Sequence, residues 1–237
     1  MRVHRALAQA GVASRRAAEL LVAEGRVTVN GEVAHVGQVV QSTDRLTVDG
    51  NPVNPEPIHT YMLNKPMGMV STAYDPEGRP TVLDPMPNDV RLYPVGRLDI
   101  DTTGLLLITN DGDLAHQLMH PSSKVPKTYE AMVAGRVSAA GVRQLRDGVE
   151  LEDGMTQPAL VEILDRQAPG CTWLSIEITE GRNRQVRRMC DVIDHPVRKL
   201  ARTRYGGLGL GKLRRGEFRS LASTEITKLE QIAGVTR

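Results

Sequence analysis

The chain has 237 residues, of which 40% are hydrophobic and 24% charged, so it can bury a large core without disulfide or metal staples. Only 3% of the residues are aromatic, which predicts an aliphatic core and leaves few rings for stacking on nucleobases. No apolar run approaches the roughly 18 residues typical of a membrane span, and the first residues lead into a polar helix, so we expect a cytoplasmic protein.

The cysteines and the clustered histidines give little sign of covalent or metal staples. Cys171 and Cys190 are far apart and have no neighbouring cysteines, which favours buried free thiols over a disulfide framework. His116 and His120 stand at i and i+4, a spacing that can hold a metal. Because no third ligand follows at a recognised interval, we expect a surface or capping pair instead.

Basic residues are concentrated in two zones of the sequence. Residues 181–219 contain twelve lysines and arginines against three acidic residues, and residues 1–30 contain five arginines against two glutamates. The rest of the chain must be acidic, since the net charge is only +2. Two basic zones separated by acidic sequence favour binding to a polyanion, with solvated basic faces as the alternative.

The N-terminal residues predict two short helices that pack on each other. Apolar residues recur at helical spacing over residues 5–10 and 14–24. Ser14 is a good N-cap for the second helix, but Arg15 and Arg16 in its first turn oppose the helix dipole, at a cost of roughly a few tenths of a kcal/mol. A ligand outside the helix would explain these arginines.

A hairpin is predicted after these helices. Residues 27–33 alternate like a strand and contain Asn30-Gly31, a strong hairpin signal, and residues 46–50 alternate again. The helix pair and the hairpin together resemble the S-four-type RNA-binding domain, in which the basic helix face and the hairpin lie against RNA. The resemblance implies RNA contacts, by position, for Arg15, Arg16 and Arg26.

Residues 51–59 contain three prolines and predict a semi-rigid linker to a second domain. That domain opens with strand-like residues around a Lys65-Pro66 turn. Residues 73–91 are rich in proline and glycine, so we expect turns with little regular structure, in a segment that could be mobile without RNA.

Residues 93–112 place carboxylates in front of an apolar strand. Asp99 and Asp101 lie just before Leu105–Thr109, which reads as a buried strand. A packed strand holds such a loop rigidly while the loop's side chains face a cleft. Asp99 is therefore our candidate reactive residue.

Beyond this stretch, the sequence predicts further strands and helices. Asp113 is expected to cap a helix, and Ser138 and Ser223 to cap two others. Gly206–Gly211 is too glycine-rich for a regular interior element and predicts a flexible connection. The predicted strands are residues 127–134, 159–164, 172–179 and 197–202. In the basic segment, the buried face of a helix is marked by Val186, Met189, Cys190 and Ile193.

Four motifs in this second region resemble those of the RNA pseudouridine synthases of the RsuA/RluB type, and they stand in the family's order. They are Lys65-Pro66-Met67-Gly68, Gly96-Arg97-Leu98-Asp99 with the residues up to Gly112, Lys127-Thr128-Tyr129, and Gly181–Met189. With the N-terminal module, the resemblance covers nearly the whole chain.

The resemblance implies isomerisation of a uridine in ribosomal RNA to pseudouridine, with large-subunit RNA preferred, a monomeric enzyme, and no cofactor or metal. It assigns Asp99 as nucleophile, Tyr129 as the ring that stacks on the target base and assists proton removal, and Arg187 as the partner of the catalytic carboxylate. It implies RNA contacts for Lys65, Arg97, Arg182, Arg184, Gln185 and Arg188.

The chemistry of this reaction suits the residues at hand. The glycosidic bond must break, so the base has to leave its stack and stay in a closed pocket. A carboxylate enclosed there must remain ionised, and a nearby guanidinium favours its charged form.

Two alternatives remain at this point. Asp99 and Asp101 could form the acid and base of a glycoside hydrolase, although we expect Asp101 to cap or brace the loop. The chain could also be a catalytically silent RNA-binding or ribosome-assembly protein. The predicted class is α+β: a small α/β RNA-binding domain at residues 1–50, a linker at 51–59, and at 60–237 a catalytic domain with a mainly antiparallel or mixed sheet.

Overall fold

The computed structural model describes residues 1–234. Within them the chain forms two compact units. The first comprises residues 1–59, 87–92 and 110–112, and the second comprises the remaining described residues.

The first unit consists of two helices and a four-stranded antiparallel sheet with the strand order β2-β1-β3-β4. Ser14 caps the second helix, as predicted, by accepting a hydrogen bond from the backbone N–H of Ala17. Val3, Leu7 and Val22 belong to a buried aliphatic core between the helices and the sheet. The elements are α1 (Val3–Gln9), α2 (Arg15–Ala23), β1 (Val27–Val29), β2 (Glu32–Val33), β3 (Leu46–Val48) and β4 (Asn51–Pro52).

The Asn-Gly hairpin is confirmed. Asn30 and Gly31 both have positive φ angles, 54° and 92°, as a two-residue type I′ turn requires. The Asn30 side chain accepts a hydrogen bond from the Arg45 backbone N–H at 3.0 Å and donates one to Asp44 at 2.9 Å, which ties the turn to the chain before β3.

The second unit is built on a nine-stranded sheet with the path β11-β12-β8-β13-β7-β5-β15, and β6 and β14 pair beside it. Among the described strands of this sheet, all pairings are antiparallel except that of β13 with β7, so the sheet is mixed, as predicted. Its strands are β5 (Thr60–Lys65), β6 (Tyr93–Pro94), β7 (Thr103–Thr109), β8 (Lys127–Ala134), β11 (Leu160–Leu164), β12 (Cys171–Ile178), β13 (Val197–Tyr205), β14 (Leu208–Gly209) and β15 (Phe218–Ser220), and β9 (Glu150–Leu151) and β10 (Gly154–Met155) form a separate hairpin.

Four helices cover this sheet and bury two aliphatic clusters. One cluster joins α4 and α5 to β8, β11 and β12, and the other joins α3 and α6 to β5 and β7. The helices are α3 (Gly112–Met119), α4 (Ala139–Asp147), α5 (Gln185–Val192) and α6 (Ser223–Ala233). The central strands β5 and β7 are buried along their full length.

Several local predictions need correction. The α3 helix begins at Gly112, one residue before the predicted cap Asp113. The N-cap of α6 is Ala222 and not Ser223, and the Glu225 carboxylate accepts a hydrogen bond from the Ala222 backbone N–H at 3.0 Å. The predicted flexible connection at Gly206–Gly211 contains β14, because the turn at Gly206-Gly207 folds the chain back onto β13.

The histidine pair agrees with the prediction, and the thiols agree in part. Cys171 and Cys190 are both free, but Cys171 is only partly buried, whereas burial raises the pKa of the Cys190 thiol to about 12. His120 caps a 3₁₀ turn at Pro121–Ser123 by accepting from the Ser122 backbone N–H. Within residues 1–234, no helix is long and apolar enough to cross a membrane.

Candidate active site

The loop before β7 carries Asp99 and is fixed at several points. Val95 and Leu98 are buried in it. The Ser71 hydroxyl donates a hydrogen bond to the Leu98 carbonyl at 2.7 Å and accepts one from the Leu98 N–H at 3.1 Å. These contacts hold both backbone groups next to Asp99, whose side chain keeps 29% of its surface exposed.

Lys65 also fixes this loop, through hydrogen bonds to its backbone. It ends β5 and is fully buried, and its ammonium group donates to the carbonyls of Pro66 (3.1 Å), Asp99 (3.1 Å) and Thr102 (2.9 Å). Burial lowers the pKa of Lys65 to about 8, although the charges of Asp101 and Asp99 favour its protonated form. The expectation that Lys65 contacts RNA is wrong, because no part of its side chain reaches the surface.

Replacing Lys65 with methionine is therefore expected to impair catalysis and not RNA binding. Hydrogen bonds to charged groups contribute about 1.5–3 kcal/mol each, and a reactive group misplaced by about 1 Å costs on the order of 100-fold in rate. We expect the single-turnover rate constant to fall about 100-fold while the Kd for RNA changes less than about threefold.

The control is Lys228→Met, since Lys228 also donates to a backbone carbonyl, that of Gly207, but on the exposed surface. Equal rates for Lys65→Met and Lys228→Met would refute the positioning role. A loss of RNA affinity confined to Lys65→Met would show that Lys65 reaches RNA after all.

The start of α5 places two arginines against the two aspartates. Arg184 Nη1 lies 3.5 Å from Asp99 Oδ2 and 3.6 Å from Asp101 Oδ1. Arg187 Nη2 lies 3.1 Å from Asp101 Oδ2, and it also donates to the Asp101 carbonyl at 3.1 Å and the Thr102 hydroxyl at 3.4 Å. The expected pairing of Arg187 with Asp99 is thus wrong in this structure, where Arg184 is the arginine beside Asp99.

This exchange of partners follows from the local geometry. Arg184 is the N-cap of α5 and has a left-handed backbone with φ 47° and ψ 31°, a conformation that costs a non-glycine residue roughly 1–3 kcal/mol. Arg187, one turn into the helix, is buried and binds the backbone that follows Asp99. Asp101 therefore braces the loop, which is one of the roles expected from the sequence.

Three other side chains expected to contact RNA instead build the loop before α5. Gln185 is buried and its amide joins the Arg182 N–H to the Glu180 carboxylate. Arg182 donates to the carbonyls of Gly154 and Met155, both at 2.6 Å, and Arg188 forms a two-pronged pair with Asp153 at 2.8 and 3.1 Å. The amide of Gln185 is thus already hydrogen-bonded within the protein, and the two guanidiniums are already held by the β9–β10 hairpin.

The remaining predicted RNA contacts are on the surface. Arg97 is exposed beside Asp99, and Arg15 and Arg16 are exposed in the first turn of α2. Arg26 is also exposed, but its guanidinium pairs with Asp49 at 2.6 and 2.9 Å and with Glu24 at 3.3 Å. RNA would have to compete with these carboxylates for Arg26.

A cavity of about 410 Å³ opens above the Asp99 loop. Its size is within the range of pockets that enclose small ligands. Asp99, Tyr129 and Arg184 all line it, so the structure brings together the predicted nucleophile, the predicted ring and a guanidinium.

Two basic residues of this cavity lie on neighbouring strands. Lys127 on β8 donates to the Val125 carbonyl at 2.9 Å. Burial and the charge of Arg202 lower the pKa of Lys127 to about 8, against the opposite effect of Glu180. Arg202 on β13 is 3% exposed, and its guanidinium lies 4.9 Å from the centre of the Tyr205 ring.

No role was expected for Arg202 from the sequence. The strand pattern nevertheless marks it as a buried residue, because Leu200 and Arg202 stand two apart on one strand and the alternation turns both inward. A charged residue at an inward position of a strand is uncommon without a specific partner.

Comparisons with known proteins identify the family of this chain. The family model for RNA pseudouridylate synthases matches residues 59–191, more than half of the chain. The chain belongs to the RNA pseudouridylate synthase family. It is therefore an enzyme that isomerises uridine in RNA. The alternative, a catalytically silent RNA-binding protein, is rejected. The S4 domain model matches residues 1–46, which agrees with the resemblance of the N-terminal module.

Individual relatives agree with the family. The chain is 44% identical to ribosomal large subunit pseudouridine synthase B of Bacillus subtilis, over 98% of this chain and 96% of that protein. It is 46% identical to an uncharacterized RNA pseudouridine synthase of Mycobacterium tuberculosis, over 99% and 95% of the two chains. A solved pseudouridylate synthase structure superposes with a TM-score of 0.70 at 30% identity, covering 97% of this pseudouridine synthase and 99% of that chain.

Proposed function

We propose that this enzyme converts a uridine of large-subunit ribosomal RNA to pseudouridine, with Asp99 as the nucleophile. The observation that carries the proposal is the position of Asp99, which lines the cavity and lies on a loop fixed by Lys65 and Ser71. The RNA class follows from the relatives of Bacillus subtilis and Pseudomonas aeruginosa, both named ribosomal large subunit pseudouridine synthase B.

Asp99 has the surroundings that a carboxylate nucleophile needs. The Arg184 guanidinium lies 3.5 Å away and faces the carboxylate with a positive charge, while the walls of the cavity shield the site from part of the solvent. In the proposed reaction the carboxylate adds to the target nucleoside, and the bond between C1′ and N1 breaks. The base then turns over and C5 bonds to C1′. The bond to Asp99 breaks and returns the free carboxylate, while C5 loses its proton and N1 gains one.

Tyr129 supports the base during this turnover. The ring is half-buried on β8 and lines the same cavity as Asp99. An aromatic face stacks on a nucleobase with a gain of about 1–3 kcal/mol, which offsets part of the cost of taking the base out of its RNA stack. The Tyr129 hydroxyl is also the group that we assign to proton removal at C5.

Exposed arginines supply positive charge for RNA binding. Arg97 and Arg184 line the cavity of the second unit, and Arg15 and Arg16 are exposed on the first unit. Contacts of this kind are made to phosphates, so they position the RNA without reading its sequence. We also propose that the enzyme acts as a monomer and in the cytoplasm, where bacterial ribosomes are assembled.

The test is tritium release from RNA transcribed with uridine labelled at C5. Formation of the C1′–C5 bond displaces the C5 hydrogen into water, so each turnover releases one label. We expect the purified enzyme to release label from large-subunit transcripts and to leave the nucleoside mass unchanged. Release only from small-subunit transcripts would overturn the choice of RNA, and a free base or sugar among the products would indicate a hydrolase.

A further inference from the structure

Arg202 is a buried cation in the lining of the cavity, and it has an unused hydrogen-bond donor. Its Nε donates to the Leu105 carbonyl at 2.8 Å, and Nη1 lies 3.5 Å from the Tyr129 hydroxyl. Among residues 1–234, Nη2 has no hydrogen-bond partner, although Arg202 is only 3% exposed and lines the cavity.

Such an arrangement is costly for the folded protein. When a charged group is buried and one of its donors has no hydrogen-bond partner, that donor loses its hydration without compensation. The fold nevertheless holds Arg202 firmly, because β13 pairs in parallel with β7 at Arg202 and Gly104. A fixed, unsatisfied donor in an enclosed site is what a developing negative charge requires.

The reaction generates that charge on the base. When the bond between C1′ and N1 breaks, its electron pair stays with the uracil and is shared among N1 and the two carbonyl oxygens. The pair is used again when C5 bonds to C1′ and the Asp99 carboxylate is released, after which C5 loses its proton and N1 gains one. A hydrogen bond that the protein donates to a carbonyl oxygen of the uracil is therefore strongest while the base is detached from the ribose.

We propose that Arg202 is a further catalytic residue, whose Nη2 donates a hydrogen bond to a carbonyl oxygen of the target uracil and stabilises the detached base. This role rests on the proposed function, since it needs a uridine in the cavity. Lys127 adds a second positive group to the same wall. The contact of Nη1 with the Tyr129 hydroxyl further keeps that ring oriented towards the bound base.

The test compares Arg202→Lys with the wild type on three RNA oligonucleotides that carry the target uridine as uridine, 2-thiouridine or 4-thiouridine. Sulfur accepts hydrogen bonds poorly, so the thio-RNA that replaces the contacted oxygen already lacks this interaction in the wild type. On the uridine RNA we expect Arg202→Lys to slow single turnover by about 100-fold or more, as for loss of one oxyanion donor. On one of the two thio-RNAs we expect the same substitution to slow single turnover by less than about tenfold.

Arg204→Lys is the matched control, since Arg204 lies on the same strand with an exposed side chain. If Arg202→Lys does not fold, Arg202→Gln, which retains an amide donor for the Leu105 carbonyl, takes its place. An equal penalty for the Arg202 variant on all three RNAs would assign Arg202 to structure alone and overturn the proposal. A wild-type enzyme that turns over none of the three RNAs would instead overturn the proposed function itself.

Discussion

Asp99→Asn is expected to abolish pseudouridine formation while the affinity for RNA changes by less than about threefold. The amide has nearly the shape of the carboxylate but cannot attack the nucleoside, and loss of a nucleophile typically costs more than about 10⁴-fold in rate. The loop itself should persist, because Lys65 and Ser71 bind its backbone and not the Asp99 side chain. Single-turnover rates and a filter-binding Kd measure the two effects.

Asp101→Asn is the matched control for this prediction. Asp101 pairs with Arg187 at 3.1 Å and braces the loop from two residues away. Its loss should slow the reaction by roughly 10- to 100-fold through misplacement of Asp99, without abolishing it. Measurable turnover by Asp99→Asn, or an inactive Asp101→Asn beside an active Asp99→Asn, would reverse the assignment of the two aspartates.

Gly104→Ala is expected to cause the largest loss of stability. Gly104 has a φ of +107°, and a Cβ there would lie 2.8 Å from the backbone nitrogen of Arg202 and closer still to its carbonyl oxygen. Neither strand can yield easily, because β7 is buried along its whole length and Arg202 pairs with it directly. We expect urea unfolding to show a loss of about 4 kcal/mol or more, together with slower catalysis as Arg202 shifts.

Gly154→Ala separates backbone strain from the steric clash. Gly154 has a similar φ of +97°, but nothing lies within 4 Å of the position of its Cβ. Strain alone should cost about 1–2 kcal/mol. Equal losses for the two variants would show that the close approach of β13 to β7 does not depend on glycine.

Local patterns in the sequence predicted most of the elements around the site. Alternation identified β8, β11 and β12, and Asn30-Gly31 identified the first hairpin, because each signal lies within a few residues. The element bounds were less certain. The start of α6 at Ser223, for example, depends on which backbone groups remain unpaired after β15.

The partners within the site depended on contacts that local patterns do not contain. Lys65 before a proline has the sequence of an exposed turn, and only the fold shows that it is buried against three carbonyls. Asp99 and Asp101 are equivalent in local sequence, and the position of α5, more than 80 residues later, decides which one binds Arg187. The role of Arg202 depends in the same way on the parallel pairing of β13 with β7.

A position-by-position pseudouridine map of the large-subunit transcript, made after incubation with the enzyme, tests the role of Asp99 on its RNA. Carbodiimide modification followed by primer extension stops at each pseudouridine. We expect a stop at a discrete site with the wild type and none with Asp99→Asn at the same concentration. A map identical for the two proteins, or one without any new stop, would contradict this role.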